Sequence, residues 1–195
     1  IDGGREVAEV WQDTRKAVLP QVSFLIGPQA SGKSTLGSAV AQRTNATLLN
    51  FNEFLKEANL DCAEDEEACV TALIARLSME VSPNVLIEDF PQTEFQGKFF
   101  VRNCVAPRNV FLLACSKDVC QERMISLGTD HPSYLPSAIL SQKVRLFNER
   151  CESLLPYLRE NTHLTEIDTE QSFAASLKQM CACIEPTVIY VRSGH

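Results

Sequence analysis

The chain has 195 residues, 45% of them hydrophobic and 22% charged, which is enough for one globular domain with a sizeable core and leaves no sign of low complexity. Its formal net charge of −7 and pI near 5.0 argue against a nucleic-acid-binding face, because phosphate backbones select for clustered Lys and Arg. No apolar run reaches the ~18 residues that a membrane span needs, and the N-terminus lacks the charged and apolar regions of a signal peptide.

Cysteines stand at 62, 69, 104, 115, 120, 151, 181 and 183, with no C-x-x-C pair among them. They read as reduced thiols acting as small hydrophobes rather than as a metal site, and with the missing signal peptide they point to the cytoplasm. The chain starts at Ile1 rather than Met, so neighbouring domains or protein partners in a larger chain are expected.

In chain order, Val7, Val10, Trp11, Thr14 and Val18 fall at helical spacing and predict an amphipathic helix over residues 5–18, ended by Pro20. Residues 1–20 then form an N-terminal helix or linker, 21–185 the main domain and 186–195 a tail. Val22 to Ile26 is a buried strand, Thr35 to Arg43 a helix, Thr47-Leu48-Leu49 a short strand and Asn52 to Asn59 a helical segment. The acidic cluster Asp61 to Glu67 opens the next helix, whose apolar face is Val70, Leu73, Ile74, Leu77 and Val81. Carboxylates there suit a helix N-terminus and solvent, not a site.

Val85-Leu86-Ile87 is a third strand, followed by a helix over 92–103, a strand from Val110 to Ala114, and a helix from Lys117 to Ser126 capped by Gly128. Thr129 to Ser137 is a loop. Ala138 to Arg159 is a long helical stretch with a bend expected before Pro156, His163 to Ile167 a fifth strand, and Phe173 to Ile184 a closing helix. The apolar stretch Thr187 to Arg192 reads as linker. Strands alternating with helices predict an α/β domain with a parallel sheet covered on both faces, and ligands beyond the C-terminal strand ends.

One motif carries chemistry. Gly27-Pro28-Gln29-Ala30-Ser31-Gly32-Lys33-Ser34-Thr35 satisfies G-x-x-x-x-G-K-[ST] and lies between a strand and a helix, where a phosphate-binding loop belongs. Its glycines let backbone N–H groups turn inward, and the following helix adds the positive end of its dipole. Lys33 supplies a mobile point charge for the β- and γ-phosphates of ATP, and the Ser34 hydroxyl suits Mg²⁺.

Four segments together resemble the nucleoside monophosphate kinases of the adenylate kinase type over roughly residues 20–184: the loop at 27–35, Leu86-Ile87-Glu88-Asp89-Phe90-Pro91-Gln92 with Gln96-Gly97, Glu122-Arg123 ending in Gly128, and the helix, strand and helix from 138 to 184. The resemblance implies a five-stranded parallel sheet of order 2-3-1-4-5 in a three-layer P-loop fold. The family's second segment reads L-I-D-G-F-P-R-x-x-x-Q. By that match Gln96 corresponds to the glutamine that reads the acceptor base, Gln92 replaces an acceptor-site arginine, and Glu88, with Asp89 beside it, stands at the acidic position near metal and phosphates. Asn52 to Lys56 resembles G-D-L-L-R, placing Lys56 on the acceptor phosphate, and Arg123 falls where an arginine lies against the ATP adenine.

The same resemblance exposes departures. The lid segment Gly128 to Ser137 holds no Lys or Arg, only His131. Lys143 and Arg145 both answer to the family's remaining catalytic arginine, and being about 200° apart around a helix, only one can face the site. Two functions remain in play: transfer of the γ-phosphoryl group of ATP to a nucleoside monophosphate, AMP foremost, or a degenerate kinase-like module that binds nucleotide or serves as a scaffold. A P-loop kinase for another small molecule is the third.

Overall fold

The structure is a computed structural model that describes residues 19–184. The helix expected over 5–18 and the stretch at 187–192 lie outside the described residues. Within them the order is β1 Gln21–Ile26, α1 Lys33–Thr44, β2 Thr47–Asn50, α2 Phe51–Ala58, α3 Glu66–Ser78, β3 Asn84–Glu88, α4 Glu94–Asn103, β4 Asn109–Ala114, α5 Lys117–Leu127, α6 Ser137–Asn161, β5 Leu164–Asp168 and α7 Phe173–Cys183.

All strand pairings are parallel, and the sheet runs β2-β3-β1-β4-β5, the order expected from the sequence. β1 is central and buried from its second residue onward because both faces of a parallel sheet are covered. Side chains along it alternate between two cores. Phe24 and Ile26 join Ile87, Val110 and Leu112 on one face, against α2, α3, α4 and α6. Leu25 joins Leu86, Phe111, Leu113 and Ile167 on the other, under Leu36 and Val40 of α1 and Leu177 and Met180 of α7.

The first core is aromatic at its centre. Phe90 packs edge-on against Phe24, Phe51 and Phe100 with ring centroids 5.1, 4.9 and 5.3 Å away. That cluster sits directly beneath the C-terminal ends of β1 and β3, and so fixes the height of the residues that follow them.

Two local differences have clear causes. The apolar face of α3 stops at Leu77, and Val81 is 95% exposed. Glu80 turns the chain there: its carboxylate accepts hydrogen bonds from Arg76 and Thr47 side chains and from the backbone of Val81 and Ser82. At the other end the acidic run makes a turn closed on Asp61 before Asp65 caps the helix by accepting from the Ala68 N–H. α6 continues through Pro156 as one helix.

Truncating Phe90 to Ala should cost about 3–5 kcal/mol in urea unfolding, because a fully buried ring leaves a cavity among three others. Val81→Ala, at an exposed position, should stay within about 0.5 kcal/mol of the parent.

Candidate functional site

The loop between β1 and α1 depends on three backbone positions. A Cβ on Gly27 would come within 2.9 Å of both the Leu113 Cβ and the Ser31 Oγ, so only glycine lets the strand end pass β4 this closely. Gly32 takes φ 94 and Ala30 φ 65, left-handed values that bend the chain back before α1 starts at Lys33. The Ser31 N–H closes a turn on the Pro28 carbonyl at 3.2 Å, while the buried Ser31 hydroxyl has no hydrogen-bond partner.

Lys33 is only 7% exposed and needs compensation for that burial. Its Nζ donates to the Gly27 and Pro28 carbonyls at 2.8 Å each and lies 3.4 Å from the Asp89 Oδ1. The Ser34 Oγ donates to the Glu88 Oε1 at 2.6 Å. Glu88 itself is buried, and that burial raises its carboxyl above the usual carboxylate range against the opposing hydrogen bond from Ser34; the Asp89 charge raises it further. Parallel pairing explains the grouping: Leu25 of β1 is level with Glu88 of β3, and the Asp89 N–H bonds to the Leu25 carbonyl at 3.0 Å.

Ser34, Glu88 and Asp89 together offer a hydroxyl and two carboxylates at the loop's rim. These are hard oxygen donors of the kind Mg²⁺ takes alongside phosphate oxygens and water. Among the described residues no group of three or more His, Cys, Asp or Glu is placed to hold a metal ion.

From this rim a cleft of about 490 Å³ opens between the loop, α2 and α6. Lys33, Lys56, Gln92 and Lys143 line it, with Phe147 and Leu154 as apolar wall. Lys143 and Arg145 are thereby separated: Arg145 lines a different depression with Lys117 and Asn148, exposed, and pairs loosely with Glu149 at 3.7 Å. Two further expected site residues stand elsewhere. Gln96 is 1% exposed, accepts from the Gln92 N–H and reaches Glu66, so its amide is spent on the turn before α4 and on the start of α3 rather than on the cleft wall. Arg123 lies beneath the loop, where its guanidinium donates to the Ser31 carbonyl at 3.0 Å and to the Thr169 carbonyl. It braces the loop's backbone.

Two cleft residues were not singled out from the sequence. Arg150 follows Lys143 by roughly two helical turns and so shares its face, a periodicity that would have found it. Asn52 donates to the Asp89 Oδ2 at 2.9 Å and accepts from the Gln92 Nε2 at 2.8 Å; Gln92 in turn meets Arg150 at 3.4 Å. Nothing in the sequence signals that contact. Asp89 itself falls where the D-G-F-P pattern has glycine and keeps the glycine-like backbone, with φ 61, ahead of a cis Phe90-Pro91 bond.

The lid segment folds down beside the loop. Tyr134 and Leu135 pack with Ala30 against a small apolar cluster of Met124, Leu140 and Val144. No charge from this segment reaches the cleft.

No family model matches the chain, and no curated protein matches it. Among solved structures, a gluconokinase from Sinorhizobium meliloti 1021 is similar to it with a TM-score of 0.58 and 19% identity, the match covering 85% of this chain and 92% of that one. The likeness is one of fold; in this chain that fold is a five-stranded parallel sheet of order 2-3-1-4-5 with helices on both faces.

Proposed function

We propose that this chain is a phosphotransferase that passes the γ-phosphoryl group of ATP to an anionic small molecule held in the cleft, with a nucleoside monophosphate, AMP foremost, as the acceptor. The observation that carries this reading is the shared opening: Lys33, Asp89 and the loop face the same space as Lys56, Lys143 and Arg150. A triphosphate tail at one end and a cation-lined acceptor end at the other are what in-line transfer needs.

Lys33 would follow the charge on the moving phosphoryl group, and the dipole of α1 would add to it. Lys56, Lys143 and Arg150 would hold the acceptor's anionic group. A phosphate acceptor is already anionic, so no general base is required. Mg²⁺, held by Ser34 with Glu88 and Asp89, would neutralise phosphate charge.

Two observations favour other readings. Asp89 presents a carboxylate to the cleft beside Lys33, which suits an acceptor hydroxyl that must lose a proton, and Gln96 is buried and does not line the cleft. A sugar acid such as gluconate would satisfy both features, its carboxylate meeting the cleft cations. The lid segment, without Lys or Arg, favours a module that binds nucleotide and transfers slowly or not at all.

Incubating the protein with Mg²⁺-ATP and, separately, AMP, CMP, UMP, GMP or gluconate separates these. Nucleoside diphosphate formation that drops by about 10² or more in Lys33→Ala supports the main reading. Phosphogluconate alone supports the second, and ATP binding with no turnover supports the third. Lys143→Ala should lower kcat/KM by about 10², whereas Arg145→Ala, which removes only an exposed pair, should change it less than about fivefold.

A further inference from the structure

We infer that Asp89 is a positioning residue that latches Lys33 away from the nucleotide, so that ATP must break this contact to bind. The inference rests on the nucleotide-binding reading above. In this structure the Lys33 ammonium donates to the Gly27 and Pro28 carbonyls at 2.8 Å each and is ion-paired with the Asp89 carboxylate at 3.4 Å. A polyphosphate arriving in the loop finds its principal cation already engaged.

The carboxylate is held for this task from its other side. Asn52 donates to the Asp89 Oδ2 at 2.9 Å, and Asn52 is fixed in turn by Gln92 at 2.8 Å. Its backbone is unfavourable for any residue with a side chain, since φ is 61 where glycine would be unstrained. A strained carboxylate pinned by an amide against the loop lysine is not a solvent-driven arrangement. Packing does not require it either, because the side chain is 26% exposed and borders the cleft.

Removing the charge acts on ATP in two ways of the same sign. Lys33 loses its charged partner and keeps only the two carbonyls, and the like charge next to the triphosphate disappears. A role confined to holding Mg²⁺ has the opposite signature, since its loss weakens binding only when the metal is present.

The test is calorimetric titration of ATP into the full chain and into Asp89→Asn and Asp89→Gly, once in EDTA and once with Mg²⁺. Asn keeps the size and the contact with Asn52 but not the charge, and Gly removes the side chain and relieves the backbone. Both variants should bind ATP about tenfold tighter than the parent in EDTA. Binding that appears only in the variants also supports the latch. If the parent binds ATP in EDTA and neither variant binds it more tightly, the latch is overturned and nucleotide binding stands. If no form binds ATP in either condition, the nucleotide reading falls and the latch falls with it.

Discussion

A single ammonium group placed out of water sets the terms for this site. Lys33 is nearly buried, and an uncompensated charge there would be expensive, so the chain must bring oxygens to it. Gly27 and Pro28 supply carbonyls from the loop's own start, which pins the loop in a curl around its lysine. Asp89 supplies a carboxylate from a different strand end, which ties the loop to β3. The conformations of Ala30 and Gly32, the absence of a side chain at Gly27 and the brace from Arg123 all serve the same curl.

Sheet topology makes that convergence possible. Because β1 lies between β3 and β4 and all run in one direction, their C-terminal ends rise together, and the loop after β1 meets the Glu88-Asp89 step after β3. Beneath them Phe24, Phe51, Phe90 and Phe100 interlock. The rigidity of the cleft floor therefore comes from the hydrophobic core, while its polarity comes from a thin layer of side chains on top. α6 forms the far wall, and its helical period decides which of its cations look inward.

Much of this was legible beforehand, and the reasons differ by element. Strands buried on both faces show as continuous apolar runs, which is why Val22 to Ile26 and Val85 to Ile87 stood out. The loop at 27–35 is legible because its motif glycines answer to geometry: a Cβ at Gly27 would clash with β4, and Gly32 takes a left-handed φ. Side-chain direction was not legible. Gln96 matched a motif position yet is drawn inward by Glu66 and the Gln92 backbone, and Arg123 is drawn under the loop by two carbonyls. Motif register places a Cα, and local hydrogen-bond competition then decides where the polar end goes. Lys143 against Arg145 could not be settled without knowing the rotation of α6. At the end of α3 the apolar period points to Val81, but the polar network around Glu80 outweighs it there.

The segment after α5 has a consequence of its own. Tyr134 and Leu135 share a small apolar cluster with Ala30, a residue of the phosphate loop itself. Such hydrocarbon contact holds a segment in place without any charged partner. In this chain the segment and the loop rest on the same three side chains, Met124, Leu140 and Val144, so the two share one apolar support.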